Sequence, residues 1–183
     1  MPFFDCLSNP ATIAKLSRAV PPDNVKLREG ILYFASVILL LFVFPIASVA
    51  INAHLRPDIG ILVLIGRWFT FWAVGVRLFI AGIRQVVQPE FTAHEIFQIP
   101  GKAALPIVRE VGFANLSMGL LGLIVLLRLE WTIPAALVGG LYYGLAGVGH
   151  LGQRDKNAKE QTALVSDFFV FLVLSVFVIK SLY

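Results

Sequence analysis

The sequence predicts an all-α, polytopic membrane protein, a bundle with five transmembrane helices. Of its 183 residues, 58% are hydrophobic and 14% are charged, and the mean hydropathy is +0.83. A soluble domain averages about 45–50% apolar and about 25% charged residues. The chain also holds five long apolar runs separated by short polar segments. Since about 20 apolar residues cross a bilayer, each run is long enough to be one span.

The predicted transmembrane helical domain occupies residues 31–183. Pro45 is expected to kink the first span, which a membrane helix tolerates when its neighbours re-satisfy the backbone. The second run is longer than a bilayer requires, so its register stays open. Charged or Gly/Pro-containing turns separate the predicted spans, which cover about residues 31–53, 60–87, 104–127, 132–151 and 162–180.

Residues 1–30 form a more polar, amphipathic segment that we expect on the cytoplasmic side. Ile13, Leu16 and Val20 share one helical face, with two basic residues beside it. This pattern fits a short helix on an anionic membrane surface. It fits a solvated tail with one helical turn equally well, so both interpretations stay open.

Basic residues give the predicted orientation. The net charge of +4 and the pI near 9.5 arise from residues scattered at the span ends, which argues against a nucleic-acid-binding face. If the N-terminus is cytoplasmic, nine of the 15 Lys and Arg fall in the cytoplasmic segments 1–30, 84–103 and 152–161. The positive-inside rule therefore predicts a cytoplasmic N-terminus and a C-terminus outside.

The loop after the second predicted span offers little chemistry. Thr92 and Glu95 have the spacing of a helix capping box, which predicts a short interfacial helix. His94 with Glu90 makes too small a ligand set for a metal, so we expect no metal site. Cys6 is the only cysteine, which excludes an internal disulfide and a CxxC redox pair.

Polar residues inside the spans are the candidate functional residues, because an unpaired charge there costs about 3 kcal/mol or more. Arg77 is expected to pair with Glu110 or Asp167, which reduces that cost. No residue is assigned a catalytic role. The predicted ligand-binding or buried polar cluster, mostly in the cytoplasmic half, consists of Arg77, Arg109, Glu110, Asn115, Tyr143, His150 and Asp167.

Structural explanations compete with these functional ones. Asn115 belongs to a small-residue face of the third span and can hydrogen-bond across a helix interface. Tyr143 and His150 share a face of the fourth span, where they either line a groove or belong to the packing and the water boundary. Asp167 either stabilises the start of its helix or belongs to a site. We also expect the glycine-rich faces of the third and fourth spans to meet, since glycine permits close helix approach.

The middle of the chain resembles the DoxX-like superfamily of small four-helix bacterial membrane proteins. The resemblance covers about residues 65–182 and rests on RLFIAGIRQ from Arg77, on Arg109-Glu110 and on the Gly-rich helix that follows. GIRQVVQPEFTAHEIF is also similar to an uncharacterised bacterial membrane family of this type. The resemblance implies a four-helix bundle in the inner membrane of a bacterium, and this chain departs from it by one added N-terminal span. DoxX-like proteins are linked to quinone-coupled sulfur oxidation and thiol-redox complexes, but this chain has no cysteine in its spans.

The favoured function is therefore a subunit or accessory protein of a bacterial membrane complex. Its polar pocket would bind a quinone, a lipid or another amphipathic molecule, anchored by Arg77 and Glu110. The expected partners are the lipid bilayer and either other complex subunits or further copies of the chain, and nucleic acid is not expected. One alternative is a stand-alone membrane enzyme with Glu110 and His150 as acid and base. Another is a small transporter or proton-conducting protein using Glu110 and Asp167.

Overall fold

The structure is a computed structural model that describes residues 22–152 and 156–183, and all regular structure in these two ranges is helical. Five helices, numbered here as spans 1 to 5, are long and apolar enough to cross a membrane, which confirms the predicted fold class. The amphipathic face predicted around Ile13 lies outside the described residues. The spans are Gly30–Leu55, Ile61–Val87, Leu105–Ile124, Leu129–Leu151 and Ala158–Leu182.

Span 1 continues the helix Pro22–Ile38, passes through a π-helical segment at Leu39–Val43 and ends as the helix Phe44–Leu55. The chain divides into two units after Phe34, and the described part of the first unit is the start of this helix, residues 22–34. The π-helical segment immediately precedes Pro45, which lacks an N–H and whose ring clashes with the carbonyl of residue i−4 in a regular helix. The irregularity predicted for this proline therefore takes the form of a π-helical segment.

Span 2 is also interrupted. The helix Ile61–Phe69 runs into a π-helix at Thr70–Arg77 and resumes as Leu78–Val87. After it, Phe91–Ile96 forms a short π-helical turn. The predicted capping box is wrong, because Thr92 lies buried inside this turn and no side chain caps it. A capping side chain must sit before the first turn, where backbone N–H groups lack partners.

Spans 3 to 5 contain the regular helices Leu105–Ile124, Thr132–Leu151 and Ala158–Leu182, with a 3₁₀ turn at Leu129–Trp131 that leads into span 4. The most extensive contacts join span 4 to span 5 and span 2 to span 3. The turn between spans 1 and 2 holds an exposed ion pair, with Arg56 Nη2 3.3 Å from Asp58 Oδ2. The hydrogen bond from Arg56 lowers the pKa of Asp58, and the same bond, with the negative charge of Asp58, raises the pKa of Arg56.

The predicted contact between the glycine faces of spans 3 and 4 is wrong, because each face packs against a different helix. Gly119 and Gly122 of span 3 lie against the backbone of Phe79 and Gly75 in span 2. Gly144 and Gly147 of span 4 accept aromatic rings of span 5 instead, with Phe171 over Gly144. A flat glycine face permits either backbone contact or insertion of a large side chain, and its sequence does not specify the partner helix.

The outer face of span 4 has the character expected of a lipid-facing surface. Four of its exposed large residues are aliphatic and follow helical spacing: Leu137, Leu141, Leu145 and Val148. The buried glycines lie on other faces of the same helix. An exposed apolar stripe of this length on a long helix is typical of a transmembrane span rather than of a soluble domain.

Candidate functional site

Three ionisable side chains meet where span 4 ends and span 5 begins. His150 Nδ1 lies 3.6 Å from Glu160 Oε1, and His150 Nε2 lies 3.9 Å from Asp167 Oδ2. The imidazole therefore has a carboxylate on each of its two nitrogens. The Glu160 side chain is fully buried, and those of His150 and Asp167 are 9% and 13% exposed. We call these three residues the His150 cluster.

Local sequence explains how span 5 presents two carboxylates to one imidazole. Glu160 and Asp167 are seven residues apart, and seven residues make nearly two complete helical turns, so both side chains lie on one face. The helix begins early enough to include Glu160 because Asn157 caps it, its side-chain oxygen accepting a hydrogen bond from the Glu160 N–H at 2.8 Å. His150 lies in the last turn of span 4.

The chain between spans 2 and 3, residues 88–104, covers the cluster, and we call it the covering segment. The Phe97 ring stacks on His150 with centroids 6.0 Å apart and an interplanar angle of 14°. Gln98 Nε2 donates to Glu160 Oε2 at 3.5 Å, the outer limit for a hydrogen bond. The backbone of Gln98 has a φ of +57°, a left-handed conformation that non-glycine residues seldom adopt. Such conformations persist where surrounding contacts hold them, often at functional sites.

Two further links tie this covering segment to span 5. Lys159 Nζ lies 2.7 Å from Glu95 Oε2, and Asn157 Nδ2 donates to the Glu95 carbonyl oxygen at 3.0 Å. Glu95 is therefore a tether between the loop and span 5 rather than a helix cap. Its position fixes Phe97 and Gln98 above the His150 cluster.

Further along the spans, two predicted site residues extend the polar region. Arg77, at the end of the π-helix in span 2, is close enough to interact electrostatically with Asp167 and Tyr143. Its Nε atom is buried and has no hydrogen-bond partner among the described residues. The Tyr143 hydroxyl donates to the Ala73 carbonyl oxygen at 2.6 Å. Ala73 lies within the π-helix, where the regular i→i−4 ladder is broken and carbonyl oxygens are available to accept.

The structure separates Arg109 and Glu110 from this region and places Asn115 at the interface between spans 3 and 2. Arg109 and Glu110 are exposed on span 3, so the expectation that Glu110 pairs with Arg77 is not met, and Asp167 is the carboxylate that interacts with that charge. Asn115 is buried and donates from Nδ2 to Gln85 Oε1 at 2.7 Å, across the interface between spans 3 and 2. A one-residue step along a helix turns a side chain by about 100°, which is why neighbours such as Arg109 and Val108 face opposite environments.

Glu160 is the functional candidate that the sequence interpretation missed. It was counted within the charged loop 152–161, because span 5 was expected to begin at 162 rather than at Ala158. The overlooked signal is Asn157-Ala-Lys-Glu160, which has the spacing of a helix start, with Asn157 as the cap and Glu160 three residues later. Thr92 and Glu95 have the same spacing, but Thr92 lies inside its turn and caps no helix.

The His150 cluster is suited to proton exchange rather than to metal binding. The lone pairs of the two imidazole nitrogens diverge, so carboxylates on opposite sides of the ring cannot bind one ion together with it. Within residues 22–152 and 156–183, no group of three His, Cys, Asp or Glu side chains has the geometry to hold a metal ion. A neutral imidazole donates from one nitrogen and accepts at the other, which matches a carboxyl group on either side.

Fold and site together define the class: a multi-pass helical membrane protein with a buried carboxylate–imidazole–carboxylate cluster. Residues 33–182 match the model of a family of unknown function, DUF6790, and the chain belongs to that family. No curated protein and no solved structure matches the chain. The match agrees with the predicted similarity to an uncharacterised family of membrane proteins and shows no link to the DoxX-like superfamily.

Proposed function

We propose that this protein moves protons through the His150 cluster, as a small proton-conducting or proton-coupled membrane protein. One observation carries the proposal: a buried imidazole has a carboxylate within 4 Å of each nitrogen. Ionisable groups are costly inside a membrane protein, and chains of Asp, Glu and His there are typical of proton relays. Glu160 and Asp167 also lie seven residues apart along one helix, so the relay has a direction along span 5.

The transfer requires no chemistry beyond the three side chains. A protonated Glu160 gives its proton to His150 Nδ1, while the proton on His150 Nε2 passes to Asp167. The imidazole is left in its other tautomer, and rotation of the ring or a return transfer restores it. Both distances exceed hydrogen-bond range, so each transfer requires a side-chain shift of about 0.5–1 Å.

The surroundings give each end of the relay a role. Glu160 lies under the covering segment, where Gln98 contacts it and the Lys159–Glu95 pair is partly exposed. This is the end at which protons would exchange with water. Asp167 lies at the other end of the relay, where it interacts with the positive charge of Arg77, and this is the end at which protons would leave the cluster.

Proton flux into vesicles tests the proposal. The purified protein is reconstituted into liposomes that contain a pH-sensitive dye, and a potassium diffusion potential drives protons inward. The wild type should acidify the vesicles faster than empty liposomes do. His150→Gln, Glu160→Gln and Asp167→Asn should each reduce the rate by tenfold or more, because a positioned acid–base group contributes about 100-fold or more to proton transfer.

Glu110→Gln is the matched control, since it makes the same chemical change at an exposed site outside the cluster. It should leave the flux unchanged. A wild-type rate equal to that of empty liposomes, or a His150→Gln rate equal to that of the wild type, would contradict the proposal.

A second candidate function follows from the stack of Phe97 on His150. An aromatic ring beside two carboxylates offers a flat contact and hydrogen-bonding groups to the head of a quinone or a similar amphipathic molecule. The protein would then serve as a subunit or accessory protein of a bacterial inner-membrane complex, with any relation to DoxX-like proteins still a prediction. Organic extraction of the purified protein, followed by mass spectrometry, should recover a quinone from the wild type and less from Phe97→Ala. Recovery of none from the wild type would contradict this candidate.

A further inference from the structure

A groove at the other end of the bundle is separate from the His150 cluster. It has a volume of about 380 Å³ and lies between the start of span 2, the start of span 4 and the end of span 5. Much of its wall is apolar and includes Leu62, Ile133 and Phe177. Val63, at its edge, is 53% exposed, so the groove opens onto the apolar outer surface of the spans.

The polar atoms of this groove come from two cations and two hydroxyls. Arg67 and Lys180 contribute the positive charges and Thr132 and Ser181 contribute the hydroxyls, and in the part of the chain that the structure describes no Asp or Glu side chain lines the groove. The nearby acidic residues interact with other arginines. Asp58 pairs with Arg56 at 3.3 Å, and Glu130 lies 3.9 Å from Arg128. Two positive charges therefore face one apolar cleft.

Arg67 is the more informative of the two cations. Its Nε atom is buried and, within the described residues, has no hydrogen-bond partner. Its guanidinium carbon lies 5.4 Å from the centroid of the Trp68 ring. Arg67 lies six positions after Ile61, the first residue of span 2, which places its backbone about 9 Å along the helix from that end. A buried guanidinium donor without an acceptor is costly, so a ligand that accepts from it would stabilise this position.

We propose that this groove binds the phosphate of an anionic membrane lipid. Arg67 and Lys180 would contact the phosphate oxygens, since Arg offers paired donors and Lys a point charge. The apolar wall would take the first carbons of the lipid chains. A volume of 380 Å³ holds a headgroup and its glycerol but not a whole lipid, so the acyl chains lie along the exposed outer surface.

A lipid is favoured over a soluble anion because of where the groove opens. A free phosphate gains nothing from an apolar wall, whereas a lipid buries apolar carbon there and places its charge at the depth of the two cations. The net positive charge of the lining also favours an anionic lipid over a zwitterionic one.

Native mass spectrometry of the detergent-solubilised protein tests the proposal, with phosphatidylglycerol and phosphatidylcholine of identical acyl chains as the probes. The wild type should retain phosphatidylglycerol in preference. Arg67→Gln should weaken that retention about tenfold, because a hydrogen bond to a charged group contributes enough free energy for about that factor. Lys180→Gln, at an exposed position near the helix end, should weaken it about threefold.

Arg128→Gln is the matched control, since it removes a charge at the same end of the bundle from a side chain that is 70% exposed and outside the groove. It should retain the lipid as the wild type does. If Arg67→Gln does not fold, the comparison of Lys180→Gln with Arg128→Gln decides the result. Equal retention of the two lipids by the wild type, or equal retention by the groove variants and the control, would overturn the proposal. A rise in melting temperature with inorganic phosphate alone would also overturn it, in favour of a soluble anion.

Discussion

The contact between Gly75 and Gly122 allows a quantitative prediction about the packing of spans 2 and 3. A Cβ atom added at Gly122 would lie 2.6 Å from the Gly75 Cα and 2.8 Å from the Val74 carbonyl carbon. Carbon atoms in ordinary contact are about 3.5–4.0 Å apart, so the two spans would have to separate by about 1 Å. Both crowded atoms belong to backbone, and no side-chain rotation relieves the overlap.

The expected cost follows from two opposing terms. Forcing an extra carbon into a packed interface costs about 1–3 kcal/mol. Alanine recovers up to about 1 kcal/mol, because it has a higher helix propensity than glycine. Gly149→Ala is the matched control, since a Cβ there meets no atom within 4 Å and only the propensity term applies. Gly122→Ala should therefore have a free energy of unfolding lower than that of Gly149→Ala by about 1–3 kcal/mol.

Equilibrium unfolding in mixed micelles titrated with sodium dodecyl sulfate, followed by far-ultraviolet circular dichroism, measures this difference. Gly147→Ala should fall between the two variants, because the atoms its Cβ would meet, at 3.1–3.2 Å, belong to the ring of Phe168, which can shift. Equal stability of Gly122→Ala and Gly149→Ala would refute the close backbone contact of spans 2 and 3.

Three more predictions concern other contacts and the orientation. Asn115→Leu should lower the free energy of unfolding by about 0.6–1.7 kcal/mol, because it removes the hydrogen bond to Gln85. The double variant Asn115→Leu/Gln85→Leu should lose no further stability, and additive losses would contradict that bond. Asn157→Ala should lower the free energy of unfolding by about 1 kcal/mol, because it removes the N-terminal cap of span 5. An unchanged unfolding midpoint would contradict this role of Asn157. Single cysteines at positions 152–157, in a Cys6→Ser background, should stay unlabelled by an impermeant thiol reagent outside intact cells. Labelling there would contradict the predicted orientation.

The predictable part of the fold is the number and type of its long helices. Each apolar run is long enough to cross a bilayer and contains few charges, and in hydrocarbon a helix satisfies its own backbone hydrogen bonds. The helical state of such a run therefore depends little on its neighbours. Local signals also placed some boundaries, but Thr92 and Asn157 carry the same type of capping pattern, and only Asn157 caps a helix.

Prediction of the site was less complete, for a physical reason. His150, Asp167 and Arg77 were identified because polar residues in an apolar segment are conspicuous, and the structure brings all three into one region. Glu160 was not identified, because in a charged loop a single carboxylate carries no distinguishing pattern. Whether it is solvated or fully buried depends on the start of span 5 and on the segment that folds over it.

The sequence by itself determined the class of protein and the five spans, because these depend on composition and on short-range periodicity. Only the tertiary structure decided which partners these residues have. A glycine face can pack against more than one neighbouring helix. Two carboxylates, Glu110 and Asp167, were candidate partners for Arg77 in a helix bundle. Three features depend on how the helices rotate against one another. They are the contact of Gly122 with Gly75, the interaction of Arg77 with Asp167 rather than with Glu110, and the groove at Arg67. That rotation is set by the packing of all the spans together, and no single segment encodes it.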